Sequence, residues 1–180
     1  MPVTIRLLVV VILAVAIAAA LYVFGRVHTP DYAVSLFGRR GISANMVKAE
    51  LGTAMLGLAV YQLVLALWIY GRLLGVGPGA HFVHTAHRAG GILVFLLSLP
   101  IAYHCIAAYG VQLTTARVTL HSLAGCFFYG AYAAKLVIVR SRRLPGLALP
   151  LAGGTLITLI AALWYTAALW QFDGFSSPGL

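Results

Sequence analysis

Five apolar runs, each long enough to cross a lipid bilayer, constrain this chain more than any other feature. They cover about residues 5–25, 47–70, 84–109, 118–139 and 147–172. At a rise of about 1.5 Å per residue, runs of roughly 22 to 26 residues cover the ~30 Å hydrocarbon layer. Backbone polar groups in lipid must be bonded within their own segment, and no alternating barrel pattern occurs. The runs therefore predict an all-α integral membrane protein.

The composition supports this class and leaves little chain for anything else. Hydrophobic residues make up 62% and charged residues 8% of the 180 residues, whereas a soluble domain has about a quarter charged residues. We expect one membrane domain over 1–180, in which the second to fifth helices form a four-helix bundle. The first run, with Arg6 ahead of an "AIAAA" tail, also resembles a signal peptide, but we interpret it as an uncleaved anchor helix.

The net charge of +9 indicates topology rather than nucleic-acid binding, because the basic residues lie at the ends of the apolar runs, where lipid head groups are. One side collects seven of them: Arg6, Arg72, Arg88, Lys135, Arg140, Arg142 and Arg143. The other side collects five: Arg26, Arg39, Arg40, Lys48 and Arg117. This excess, greatest in "VRSRRLPG", predicts a cytoplasmic N-terminus and an outer C-terminus. The preference for Arg, with abundant Ala and Gly, is typical of bacterial membrane proteins from GC-rich genomes.

The first outer loop contains signals for a short interfacial helix. Thr29 is a suitable N-cap, Pro30 suits the first helical position, and Asp31 favours the positive end of the helix dipole. Gly38 is expected to end this helix. Such a helix would place His28 close to the outer membrane surface.

Two of the six histidines, His104 and His121, fall inside spanning runs, where ionisable groups are expensive and commonly functional. His104 precedes the end of the third run by five residues, and His121 follows the start of the fourth by three. The two imidazoles are therefore predicted to be level near the outer face. A short link lets the helix ends splay, which suits a haem held by two histidines. A single histidine can also serve only as an interhelical hydrogen-bonding group.

Glycines follow two of the histidines by one helical turn. Gly125 follows His121, and Gly91 follows His87, so each glycine is predicted to leave a hollow in which a flat macrocycle could lie. Close helix packing explains the glycines equally well. His87 lies about 25 Å along the helix from His104, so it would need a second haem near the inner face, and no partner ligand is evident on the other runs.

The strings "HTAHRAGG" and "TLHSLAG" resemble the core of cytochrome b561-type membrane proteins. Longer strings, "HTPDYAVSLFGRRG", "LPIAYHC" and "VTLHSLAGCFFYGAYAAKLVIVRSRRLPG", resemble an uncharacterised actinobacterial multi-helix membrane family. The b561 resemblance implies b-type haem and transmembrane electron transfer, with His121 and either His87 or His84 on matching positions. Dihaem b561 proteins take ligands from four helices, whereas the second and fifth runs here lack histidine. His104 is the natural replacement.

These features lead to one main hypothesis and two alternatives. The main hypothesis is a membrane cytochrome with haem b on His104 and His121, and a second on His87, that passes electrons between the quinone pool and a protein at the outer face. Arg117 would pair with haem propionates or serve as an interfacial anchor. The alternatives are a non-redox anchor subunit of a larger complex, and a copper or zinc site formed by His28, His104 and His121. A homo- or hetero-oligomer is compatible with each hypothesis.

Several other residues are assigned structural roles. Cys105 and Cys126 form no CxxC pair and are expected to be small buried residues. Lys135 is expected to extend its ammonium group towards the inner surface. The aromatic residues of the fifth run are expected to form an outer aromatic belt; they are Trp164, Tyr165 and Trp170.

Overall fold

The computed structural model describes residues 2–73, 79–141 and 144–176. Within these ranges the structure has five helices that are long and apolar enough to cross a membrane, which confirms the predicted all-helical class. Their bounds are α1 (Val3–Val27), α2 (Gly41–Ile69), α3 (His81–Tyr109), α4 (Ala116–Arg140) and α5 (Ala148–Leu163). α5 continues through a π-helical segment, Trp164–Leu169, into a last helical turn, Trp170–Phe172. Arg142 and Arg143, which contribute to the predicted orientation, lie outside the described residues.

The prediction of a short interfacial helix in the loop between α1 and α2 is wrong. Residues 28–40 form turns, with Leu36 and Arg39 paired through both backbone hydrogen bonds at 2.8 and 2.9 Å. Phe37 and Gly38 between them have positive φ values of 50° and 77°, the pattern of a type I′ turn at its two central positions. The Asp31 carboxylate accepts from the Ala33 amide at 2.9 Å. This local turn uses Asp31, and α2 instead begins at Gly41.

The helices pack as neighbouring pairs. α2 lies along α3 and α5, and α4 lies along α5 and α1. The π-helical segment contacts α2 and α4. In the described part of the chain, the backbones of α3 and α4 do not pack closely against each other. The contacts between these two helices are therefore made mainly by side chains.

Aromatic and aliphatic side chains fill the middle of the assembly. Phe128 of α4 is 2% exposed, and it packs with residues from α2, α3 and α5. Phe95 of α3 stacks on Tyr132 of α4 with ring centroids 4.6 Å apart. The outward faces are apolar as well, for example at Leu8, Leu96 and Leu151, which are 57%, 53% and 69% exposed. Such apolar outer surfaces suit contact with lipid tails.

The backbones of α1 and α4 approach each other closely at Gly130. A Cβ atom added there would collide with the carbonyl oxygen of Ala14, which is backbone and cannot rotate away. Gly130 thus sets how closely α1 and α4 can pack, in the manner of small residues at membrane-helix interfaces.

Replacing Gly130 with valine is therefore expected to destabilise the protein by about 1–3 kcal/mol, because overpacking forces the two helices apart. Thermal unfolding in detergent micelles measures the effect. Gly153→Val is the matched control, since a Cβ at Gly153 meets nothing within 4 Å and the substitution is also within a helix. Equal melting temperatures for the two variants would contradict the expected role of the Ala14 contact.

Candidate cofactor site

Side-chain contacts establish the register between the antiparallel helices α3 and α4. The Tyr132 hydroxyl donates to the Gly91 carbonyl at 3.4 Å, and the Tyr129 hydroxyl lies 3.0 Å from the Ser98 hydroxyl. At about 1.5 Å per residue, His104 lies about 9 Å from Ser98 towards the end of α3. By the same measure, His121 lies about 12 Å from Tyr129 towards the start of α4. This register brings the two imidazoles to nearly the same level, at the end of the α3–α4 seam where the chain passes from α3 to α4.

His104 is buried without a hydrogen-bond partner. Its side chain is 1% exposed, and neither Nδ1 nor Nε2 makes a hydrogen bond of acceptable geometry within the described residues, although the Val34 backbone lies near the ring. The edge of the Tyr109 ring lies beside it, with centroids 5.9 Å apart. Leaving a buried polar group unbonded costs about 1–3 kcal/mol, and such groups commonly mark a missing ion, water or ligand.

His121 differs because one of its nitrogen atoms is bonded. Nδ1 lies 3.0 Å from the hydroxyl oxygen of Thr166, which is 0% exposed. That hydroxyl has a single proton, and it donates to the Ala162 carbonyl at 2.6 Å. Thr166 must therefore accept from Nδ1–H, which assigns the neutral tautomer with a lone pair on Nε2. Such a hydrogen bond is typical of histidines that bind metals through the other nitrogen.

The π-helical segment connects His121 to Arg117. The Arg117 guanidinium donates to the carbonyl of Thr166 at 2.7 Å and stacks over the Trp170 ring, 3.8 Å from its centroid. Trp164, in the same segment, donates from its indole nitrogen to Thr53 of α2 at 2.9 Å. Short π-helical segments frequently occur at functional sites. Here the segment fixes the positions of both His121 and Arg117.

Lys48 of α2 provides a second cation at this level. Its ammonium group lies 3.8 Å from the Cys105 sulfur and 4.6 Å from the centroid of the Tyr109 ring. It is also close enough to act electrostatically on both His104 and His121. Lys48 therefore faces the space that the two histidines border.

The carboxylates of the chain do not neutralise these cations. The chain has three acidic residues: Asp31 bonds the Ala33 amide, Asp173 accepts from Ser176 at 2.7 Å, and Glu50 is exposed. Lys48 and Arg117 instead contact a thiol, a carbonyl and two aromatic rings. The site around His104 and His121 is consequently cationic and suits a ligand with anionic groups.

His87 occupies a separate region, near the start of α3 and towards the opposite end of the helices from His104. Its Nδ1 atom is buried and unbonded within the described residues, and so are both amide atoms of Gln62 on α2. Lys135 of α4 acts electrostatically on His87. α2 thus brings the backbone of Gln62 close to His87, and α4 brings the charge of Lys135 near it, where the sequence alone indicated no partner.

The glycines beside the histidines contact other helices. A Cβ at Gly125 would meet Leu163 of α5 at 3.8 Å, an ordinary contact distance. A Cβ at Gly91 would meet the Gln62 amide oxygen at 3.8 Å, and one at Gly90 would collide with the Gln62 amide nitrogen. The tightest glycine near His87 is therefore Gly90, and the close-packing interpretation of the glycines applies there.

The predicted three-histidine metal site is not assembled. Within the described residues, no group of three or more His, Cys, Asp or Glu side chains could hold a metal ion. Nε2 of His28 instead lies 3.2 Å from the Ala107 carbonyl, so His28 fastens the first outer loop to the end of α3. Cys105 and Cys126 are free thiols, and Cys126 is buried as predicted.

Sequence reasoning missed Thr166, Lys48 and Gln62 as residues of these sites. Thr166 and Gln62 are common in membrane helices and show no distinctive spacing. Lys48 was counted only as an interfacial charge, although with α2 starting at Gly41 it lies two turns inside the helix. Trp170 was assigned to an aromatic belt, and in the structure it stacks on Arg117.

A model of a protein family described as of unknown function, DUF6529, matches residues 7–179. No curated protein and no solved structure matches the chain.

Proposed function

We propose that this chain, which belongs to the DUF6529 family of unknown function, is a membrane b-type cytochrome that exchanges electrons between the quinone pool and a protein at the outer face. The observation that supports this most strongly is His104. An imidazole that is 1% exposed with both nitrogen atoms unbonded is unfavourable unless a ligand or ion takes one of them. His121, level with it, offers a second free nitrogen.

The donor set fits a haem. Two neutral imidazoles on two helices are the axial ligands of bis-histidine b-type cytochromes. Their helices α3 and α4, which are not closely packed in the described structure, leave the wider separation that such a site needs. Bound haem would supply reversible one-electron exchange at its iron.

The residues around the two histidines have distinct roles. Thr166 holds His121 in the tautomer with a free Nε2 and fixes the orientation of the ring. Lys48 and Arg117, which have no acidic partner within the described part of the chain, would bond the two propionates through charge-assisted hydrogen bonds. The buried position of His104 excludes water from its side of the site. The Arg117–propionate pairing predicted from sequence is retained as part of this proposal.

The arrangement in the membrane is also part of the proposal. α2 to α5 would form a four-helix bundle with α1 packed on α4, in a bacterial plasma membrane with the N-terminus cytoplasmic. This orientation puts His104 and His121 near the outer face, where a redox partner protein would dock. A second haem on His87, which is not part of this proposal, and an oligomeric state stay predictions.

A non-redox anchor subunit is the alternative function. The extensive apolar surface of the helices suits assembly with other membrane proteins. It provides no reason for an unbonded, buried His104, and for that reason we favour the cytochrome.

An absorption spectrum of the purified protein tests the proposal. Protein from cells supplied with haem should show a Soret band, and dithionite should produce the sharp α band of reduced bis-histidine haem. Pyridine haemochrome analysis should then give haem b in at least stoichiometric amount. A colourless, folded preparation would exclude the cytochrome and leave the anchor subunit.

A further inference from the structure

We infer that the inner polar cluster, defined as Gln62, His87, Tyr132 and Lys135, binds the head group of a quinone. The cluster joins three helices, since Gln62 belongs to α2, His87 to α3, and the other two residues to α4. It is separate from the outer site, which lies several helical turns away along α3.

The cluster contains more hydrogen-bonding capacity than it uses. Both amide atoms of Gln62 and Nδ1 of His87 have almost no accessible surface and no partner within the described residues. Three unbonded polar atoms contributed by two adjacent helices are costly in an apolar interior, at about 1–3 kcal/mol each. Lys135 adds a positive charge near His87, and the Tyr132 hydroxyl makes only a long contact of 3.4 Å with the Gly91 carbonyl.

The chemistry of these groups matches a quinone better than a metal or an anionic cofactor. A quinone presents two carbonyl acceptors, and the corresponding quinol presents two hydroxyl donors. The Gln62 amide and a neutral imidazole can each donate or accept, so the same pair can bond both forms. A haem would need a second axial ligand, and neither the amide of Gln62 nor the charged amine of Lys135 is a usual one.

The surroundings suit a flat ring entering from the membrane. Phe95 and Tyr132 form a stacked aromatic pair, with ring planes 20° apart, at the seam between α3 and α4. This seam is bridged mainly by side chains, because the two backbones do not pack closely in the described structure. A lipid-soluble ring could enter along the seam and reach Gln62 and His87 with small rotations of the aromatic side chains.

The choice of a quinone rests on the proposed function, but its test is independent of haem. Calorimetric titration of the full-length protein in detergent micelles with decylubiquinone, and then with a short-chain menaquinone, measures binding directly. We expect Gln62→Met and His87→Leu each to weaken binding about tenfold or more, the effect of one lost hydrogen bond to a buried partner. His87→Asn, which keeps a polar atom near the position of Nδ1, should restore most of the affinity.

His81→Ala is the control, because His81 is exposed on the same helix and outside the cluster. Circular dichroism and gel filtration establish that each variant is folded. The inference is overturned if the wild type binds neither quinone, or if Gln62→Met and His87→Leu bind as tightly as His81→Ala. Quinone binding by a colourless protein would support this site while excluding the cytochrome. A haem-containing protein that binds no quinone would overturn this inference and the exchange with the quinone pool, but not the haem site on His104 and His121. Loss of one haem signal in His87→Leu would identify a second haem instead.

Discussion

Replacing either His104 or His121 with leucine is expected to abolish the low-spin spectrum of bis-histidine haem. In the proposed site each imidazole would bind the haem iron, so the loss of either should leave five-coordinate haem or none. Reduced-minus-oxidised absorption and electron paramagnetic resonance spectra measure the effect. His28→Leu and His81→Leu are matched controls, because His28 bonds the Ala107 carbonyl and His81 is exposed; both should keep the wild-type spectrum.

The same substitutions should affect the haem-free protein in opposite directions. His104 is an unbonded buried imidazole, so His104→Leu is expected to raise the stability of the haem-free form by about 1–3 kcal/mol. His121→Leu removes the hydrogen bond to Thr166 and should lower the stability by about 1 kcal/mol. Thermal unfolding of the two variants, each prepared without haem, measures these opposite changes in stability. If His104→Leu lowers the stability of the haem-free protein as His121→Leu does, His104 makes a stabilising contact in that form. The unbonded imidazole on which the proposal rests would then be wrong.

Replacing Thr166 with valine is expected to lower haem affinity about 10- to 100-fold without removing a ligand. Valine has nearly the shape of threonine but cannot accept from Nδ1 of His121, so the imidazole loses its fixed tautomer and orientation. Titration of the haem-free protein with haemin measures the affinity. Thr166→Ser, which keeps the hydroxyl, should retain most of it.

Thr158→Val is the matched control for this experiment. Thr158 lies in α5, the helix that leads into the π-helical segment, and its hydroxyl donates to the carbonyl four residues earlier, that of Gly154, at 3.0 Å. Thr166 makes the corresponding bond to Ala162, so the two substitutions remove the same helix contact, and only one removes a partner of a histidine. Equal haem affinities for the two variants would show that Thr166 does not position His121.

The helical class and the five spans were predictable from hydropathy, because the length and polarity of each run alone decide whether it can satisfy its backbone in lipid. Thr29, Pro30 and Gly38, by contrast, led to a short helix that does not form. Helix-start signals are local, and here the turn at Phe37 and Gly38, together with the bond from the Asp31 amide to the Ala107 carbonyl, overrides them.

The levels of His104 and His121 were predictable too, since distance from the end of a run is a property of sequence. The partners of these histidines were not. Thr166 follows His121 by 45 residues, and Lys48 precedes Cys105 by 57. Whether such residues meet depends on how the helices rotate and pack, which side-chain volumes across the whole assembly decide.

The sequence by itself thus determined that this chain forms five apolar helices with two histidines near one end of the third and fourth, because helix formation in lipid depends on nearby residues. Only the tertiary structure decided that His104 lacks a partner, that His121 is bonded by a π-helical threonine, and that Gln62 and Lys135 lie beside His87. Those facts depend on which faces of separate helices pack together, and local sequence patterns do not predict that packing.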